Sequence, residues 1–252
     1  MKNCSDVRKN KIYLFVEKII NFFNKLKWHL FEKKRLKKIN KSNLGNNYDS
    51  FQEDKYIDDL IKYNEPYERR LFLALCLTNA IRFKNMVDIL DVGGGVGIQA
   101  EYLLDNFNNR INKIDIVEQK NLVRFINNYR QNNNINKKIF YSNNMNLYQE
   151  KYDLIFFNGS ISYLYNPIQI LKDIKCNTIV CISRLTVSVN DDKPFIIFDK
   201  FGGHEENILP ELLIKNFLSQ KEVFFYEKQN LIPSKSLVDG SKLISINFSY
   251  KS

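Results

Sequence analysis

The stretch Asp91-Val92-Gly93-Gly94-Gly95-Val96-Gly97 places a carboxylate and four glycines directly after the apolar run that begins at Val87. Glycine adopts positive φ angles and lets the backbone approach a ligand closely. A helix opening at Val96-Gly97-Ile98 would aim its free N–H groups at a ligand's polar or anionic end. Twenty-one residues past Gly97, the run Ile114-Asp115-Ile116-Val117 closes on Glu118. A carboxylate at that point can accept both ribose hydroxyls of an adenosine. The spacing therefore predicts a nucleoside crevice formed by Asp91, Gly93, Gly94, Gly95, Gly97 and Glu118.

A second group of residues follows the next apolar runs. Leu154-Ile155-Phe156-Phe157 gives way abruptly to Asn158-Gly159-Ser160, at the strand edge where open α/β sheets bind ligands. Small polar residues there can face the far end of a cofactor and a second substrate; Asn158 and Ser160 suit equally well the cap of a following helix. Arg184 follows Ile179-Val180-Cys181-Ile182, and its planar guanidinium fits a phosphate or carboxylate. Phe201-Gly202-Gly203-His204-Glu205-Glu206 sets one of only two histidines in a loop expected to be flexible. Histidine titrates intrinsically near neutrality, which suits a general base, and a surface histidine without a role fits the same pattern.

Helices and strands must alternate to bring these residues together. Strands are expected at 87–92, 112–118, 138–142, 153–158 and 178–183, with helices near 97–106, 120–131 and 165–175 between them. Such alternation predicts a parallel sheet covered on both faces. After a loop-rich insertion, a helix near 207–219 leads to strands at 222–228 and 242–250, a terminal antiparallel pair. Before the first strand, 56–63 and 67–83 read as helices. The expected organisation is a basic arm (1–45), a helical cap (46–86) and a ligand-binding Rossmann-like domain (87–252).

The formal net charge of +10 is localised. Residues 1–42 hold thirteen Lys/Arg against three acids, and the other 210 residues carry 25 charges of each sign. An enzyme acting on nucleic acid usually spreads positive potential around its cleft, so no nucleic-acid partner is expected. In the arm, Ile12, Phe15, Val16, Ile19, Phe22, Phe23, Leu26 and Leu30 recur at three- and four-residue spacing among lysines and asparagines, the pattern of an amphipathic basic helix. Two readings stay open: peripheral contact of residues 12–40 with an anionic membrane surface, or packing on the chain's own body or a second copy. Charged residues inside this stretch exclude a signal peptide and a spanning helix. Cys4, Cys76, Cys176 and Cys181 lack metal-ligand spacing and are too sparse for a disulfide scaffold. No metal is expected, and Cys176 and Cys181 read as small apolar residues beside a buried strand, in a reduced cytoplasmic compartment.

The loop Asp91-x-Gly93-x-Gly95-x-Gly97 resembles the methyltransferase form of the glycine turn, while Gly95-x-Gly97-x-x-Ala100 also satisfies a looser NAD fingerprint. Asp91-Val92-Gly93-Gly94-Gly95, Val117-Glu118-Gln119, Asn158 to Pro167 and Ile182-Ser183-Arg184-Leu185 together are similar to a family of methyltransferases from bacterial lipopolysaccharide, O-antigen and capsule gene clusters. The resemblance spans roughly residues 50–250 and leaves the basic arm outside it. It implies a class I, Rossmann-like fold with a mostly parallel seven-stranded sheet. It also implies S-adenosyl-L-methionine as cofactor, S-adenosyl-L-homocysteine as product, and O-methylation of a glycan or small-molecule acceptor. Within that reading Arg184 anchors the acceptor and His204 takes its proton. A nicotinamide-dependent oxidoreductase and a non-catalytic partner subunit on the same fold are the alternatives. The fourth strand ends without the Asn/Asp-Pro-Pro-aromatic turn that resembles amino-base methylation.

Overall fold

A computed structural model describes residues 34–35, 67–132, 137–199, 204–230 and 241–249. The helices expected at 12–30 and 56–63, and the polar joint at 41–50, lie outside the described residues. The elements in order are β1 (Lys34–Arg35), α1 (Tyr67–Ile81), β2 (Val87–Val92), α2 (Ile98–Phe107), β3 (Ile111–Val117), α3 (Lys120–Asn132), β4 (Ile139–Ser142), β5 (Leu154–Asn158), α4 (Pro167–Asp173), β6 (Ile179–Ser188), β7 (Phe195–Asp199), β8 (His204–Pro210), α5 (Glu211–Leu218), β9 (Glu222–Asn230) and β10 (Ser241–Ser249). Among these helices none is long and apolar enough to cross a membrane.

The sheet runs β4-β3-β2-β5-β6-β10-β9. Its first five strands are parallel, and β10 is antiparallel to both β6 and β9. This is the expected Rossmann-like fold, with element ends within about two residues of the sequence reading, except that β6 runs on to Ser188 instead of ending at 183 and that residues 207–210, expected to open a helix, end strand β8. The parallel strands read as near-continuous apolar runs because both their faces are covered. On one face Leu90, Ile155, Phe157, Val180 and Ile182 pack with α4, α5 and Phe248. On the other, Ile89, Ile114, Ile116 and Phe156 pack with α1 and α2. Helix α1 meets the sheet through Leu73, Cys76, Leu77 and Ala80, all buried. Each of the two leucines contributes about 1.5–3 kcal/mol of transfer free energy when fully buried.

Two features depart from the sequence reading. The expected loop-rich insertion contains an antiparallel hairpin: β7 pairs with β8 from Phe195↔Ile208 to Asp199↔His204. β8 then joins the main sheet in parallel at Val187↔Leu209 and Ser188↔Pro210. β1 adds to the outer edge of β7, with Lys34 opposite Ile196. The second feature is covalent. Cys181 does not stand as an isolated small apolar residue: it forms a disulfide with Cys76 of α1, 105 residues away in sequence, their Cα atoms 6.4 Å apart. Cys176 is free and exposed.

Beside the disulfide lies a buried polar bridge. Asn79 Nδ2 donates to Asn247 Oδ1 at 2.6 Å, and Asn247 Nδ2 donates to Val180 O at 3.2 Å. Buried amides are tolerated when paired in this way, and the bridge fixes α1 against β6 and β10.

Candidate functional site

The glycine turn leaves β2 at the carboxyl edge of the sheet, between β3 and β5. Gly93 takes φ 76° and its N–H donates to Val117 O at 2.8 Å. A side chain there would meet two obstacles, the left-handed backbone and the Cβ of Ser160, which would lie 2.5 Å from a Cβ on Gly93. Gly94 is required for a different reason. A Cβ on it would come within 2.5 Å of the Asp91 carboxylate, which is buried beneath the turn. At Gly95 the missing Cβ would face open space. The turn is thus walled behind by Ser160, Asp91 and Ile116 and open at Gly95, the geometry of a cradle. Gly97 then caps α2 with no side-chain hydrogen bond, leaving the first-turn N–H groups to other partners.

Glu118 stands just past β3, facing that opening. Its carboxylate accepts the Gly95 N–H at 2.9 Å through Oε1 and its neighbour Gln119's N–H at 3.0 Å through Oε2. Burial pushes its pKa up from the ordinary carboxylate value, and the two backbone N–H groups partly offset this. Each oxygen retains a second lone pair, so the carboxylate, already aimed, can still accept from a diol. Tyr141 at the end of β4 completes this side. Its hydroxyl donates to Val96 O at 2.7 Å and fills the space that a Cβ on Gly97 would need. Its role was not legible in sequence, where Tyr141 is simply an aromatic in a short strand.

The residues after β5 form the other wall. Ser160 Oγ donates to Val92 O, and Ser183 Oγ to Asn158 Oδ1. Gly159 takes φ 72°, its N–H donating to Ser183 O at 2.9 Å. Neither Asn158 nor Ser160 makes a helix-capping side-chain bond: Ser160 precedes a 3-10 turn, Ile161–Tyr163, without one, and α4 begins at Pro167. Their side chains hold the carboxyl ends of β2, β5 and β6 together.

Arg184 falls inside β6, not after the strand as the sequence indicated, and it does so with φ 60°. The reason is a bulge. β10 shifts register between Ile244, opposite Leu185, and Ile246, opposite Ile182, so Ser183 and Arg184 share one partner position. The exposed Arg184 side chain returns over Gly159, whose Cα would carry a Cβ 3.7–3.9 Å from the guanidinium. A permanent cation therefore stands at the end of β5. A left-handed arginine costs of order 1–3 kcal/mol, a strain that clusters at functional sites. His204 is the first residue of β8, opposite Asp199. The expected flexible loop position is corrected: the backbone at His204 is held in a strand pair.

The structure thus brings Asp91, the glycines, Glu118, Asn158, Gly159, Ser160 and Arg184 to one sheet edge. Among the described residues no cluster of three or more His, Cys, Asp or Glu side chains gathers as a metal site would require.

Several solved structures resemble the chain in fold. The solved structure of the [4+2]-cyclase SpnF is 13% identical with a TM-score of 0.50, over 72% of this chain and 81% of that one. A candidate sarcosine dimethylglycine methyltransferase from Galdieria sulphuraria is 12% identical with a TM-score of 0.50, over 73% and 86%. The N-methyltransferase NodS from Bradyrhizobium japonicum, in complex with S-adenosyl-L-homocysteine, is 13% identical with a TM-score of 0.48, over 81% and 98%. Likeness at this identity speaks for the fold alone, and a cyclase among these structures illustrates why fold does not decide chemistry. No curated protein matches the chain. A family described as methyltransferase domain matches residues 48–193, more than half of the sequence. The chain therefore belongs to the methyltransferase domain family, on the class I Rossmann-like fold.

Proposed function

We propose that the chain is an S-adenosyl-L-methionine-dependent methyltransferase acting on an oxygen of a cell-surface polysaccharide or its precursor. The observation that carries the cofactor assignment is the pairing of an open Gly95 with a Glu118 carboxylate fixed by two backbone N–H groups. These residues fit an adenosine: Glu118 would hold the ribose hydroxyls, and Gly93 to Gly97 would lie along the remainder, with Asn158, Gly159 and Ser160 at the methionine end. When bound, S-adenosyl-L-methionine supplies an electrophilic methyl group on a sulfonium. The chain's own work is then to orient an acceptor oxygen and exclude competitors. Arg184, a permanent cation over Gly159, suits a phosphate or carboxylate on the acceptor. His204 takes the proton that a hydroxyl acceptor releases. Support for a glycan acceptor comes from the four motif segments that resemble enzymes of lipopolysaccharide, O-antigen and capsule assembly.

Calorimetry separates this reading from the nicotinamide alternative. S-adenosyl-L-homocysteine is expected to bind and NAD not to bind; the reverse result would overturn the proposal. For the acceptor, mass spectrometry of surface glycans with and without the gene should reveal a missing methyl increment. If a folded His204→Ala chain kept full turnover across pH, the base assignment would fall. The basic arm is a separate part of the proposal, in which residues 12–40 contact an anionic membrane surface at the cytoplasmic face. Deleting residues 1–40 should reduce sedimentation with anionic vesicles, and unchanged sedimentation would favour packing instead.

A further inference from the structure

The β7–β8 hairpin does more than extend the sheet. β6 pairs with β5 only as far as Ser183↔Asn158, whereas β8 joins β6 higher up, at Val187 and Ser188. β8 therefore lies beyond the carboxyl end of β5, on the same side of β6. Where it crosses the 3-10 turn after β5, the buried Asn207 donates through Nδ2 to Ser162 O at 2.8 Å and to Leu164 O at 2.9 Å. The turn's own bonds run elsewhere, from Tyr163 N–H to Ser160 O and from Leu164 N–H to Ile161 O. Ser162 is 1% and Leu164 4% exposed, so water is a poor substitute for the amide, and an unmade bond to a buried carbonyl is costly.

The near end of this turn is Ser160. Its hydroxyl donates to Val92 O, and its Cβ occupies the space that a side chain on Gly93 would need. A contiguous path thus runs from Asn207, through the turn 160–164, to the glycine bend. We infer that Asn207 is a positioning residue: it clamps the turn after β5 so that Ser160 and Gly93 present one pre-set wall to the methionine end of the cofactor. This inference rests on the proposed cofactor reading. Its role is not legible in sequence, where Asn207 reads as the opening of the helix expected near 207–219 and not as part of a strand.

The test uses the full chain and two variants, Asn207→Ala and Asn207→Asp. In Asn207→Ala, amide exchange at Tyr163 and Leu164 should rise at least about ten-fold while the amides of β2 and β3 change little, and the Kd for S-adenosyl-L-homocysteine should rise about five-fold or more. In Asn207→Asp, a protonated carboxyl can donate one bond and an ionised one none. Burial against two carbonyl oxygens should raise that carboxyl above the ordinary aspartate value, so its Kd, taken relative to the unsubstituted chain, should improve toward pH 5 and worsen toward pH 8, a profile that general loss of packing would not produce. Exchange rising equally throughout the sheet, or affinity within two-fold of the unsubstituted chain in both variants, would overturn the inference. Should neither variant fold, the unsubstituted chain still decides it. Tyr163 and Leu164 should exchange at least about ten-fold more slowly than Leu147, in the 3-10 turn Met145–Gln149, and Glu150, which caps it, and equal rates would remove the clamp. An unsubstituted chain that fails to bind S-adenosyl-L-homocysteine overturns the proposed function, and the exchange contrast at 163 and 164 then decides the clamp by itself.

Discussion

The Gly95 N–H points at Glu118 Oε1 from 2.9 Å, so the cradle and the carboxylate that faces it are one hydrogen-bonded unit. A half-buried carboxylate held in this way costs stability, because desolvation disfavours its charged form. Its folded pKa is raised, so between the ordinary carboxylate range and that raised value the folded chain binds more protons than the unfolded one. Stability contributed by Glu118 is present at low pH and lost as pH rises through that window.

Glu118→Gln should therefore separate binding from stability. The Kd for S-adenosyl-L-homocysteine is expected to rise roughly ten- to hundred-fold, the scale of hydrogen bonds to a charged group. Denaturation of the ligand-free chain should show its stability relative to the unsubstituted chain improving from pH 4 to pH 7. A constant difference across that range would show that Glu118 titrates alike in both states.

Gly94 and Gly95 should fail differently on substitution by alanine. In Gly94→Ala the new Cβ meets the Asp91 carboxylate and Ile116, and overpacking of this kind costs about 1–3 kcal/mol. In Gly95→Ala the Cβ enters open space, so the cost is the left-handed backbone, about 1–2 kcal/mol. Gly95→Ala should also abolish binding of S-adenosyl-L-homocysteine, because the methyl occupies the opening. Urea denaturation and calorimetry on the two variants check this. Tight binding by Gly95→Ala would remove the open face of Gly95 from the site.

Most of this site is legible in sequence because its parts are local. In the run Val87 to Val92 both faces are covered, so Val87, Ile89, Leu90 and Val92 are apolar and buried, and glycines end it where the backbone must turn. What escapes the sequence depends on partners far along the chain. Asn207 reads as the start of a helix because its bonds, to carbonyls about 45 residues earlier, are invisible to local pattern. Arg184 looks like the end of a strand because the bulge that absorbs it is set by Ile244 and Ile246 on β10. Helix α5 starts inside its expected span, since local propensity does not see that residues 207–210 pair with β7 and β6 as the end of β8.

The left-handed backbone at Arg184 predicts an unusual stability series. Arg184→Gly removes the strain at a position where glycine is favoured, so it should be between unchanged and about 1 kcal/mol more stable. Arg184→Val, β-branched in the left-handed region, should lose about 1–2 kcal/mol. Both should keep their affinity for S-adenosyl-L-homocysteine, because Arg184 belongs to the acceptor side in the proposed function. Urea denaturation of the three chains gives the order directly. Arg184→Val as stable as the unsubstituted chain would mean that the bulge relaxes and carries no strain.

The Cys76–Cys181 bond closes a loop of 105 residues that contains the whole glycine turn, Glu118 and Asn158 to Ser160. A cross-link of that span restricts the unfolded chain strongly, and disulfides of this kind typically contribute about 2–4 kcal/mol. It also acts on the folded chain, where it joins α1 to β6 next to the Asn79–Asn247 bridge. Both sulfurs are buried, so reduction should require opening of the chain and proceed slowly without denaturant. The expected outcome is an intact mass two hydrogens below the fully reduced value. Urea denaturation should show about 2–4 kcal/mol less stability for Cys76→Ser, and the same loss for the unsubstituted chain reduced in denaturant and refolded. Cys176→Ser, altering the exposed thiol, should leave stability within about 0.5 kcal/mol. If Cys76→Ser and Cys176→Ser were equally stable, the link between α1 and the sheet would rest on packing and the asparagine bridge instead.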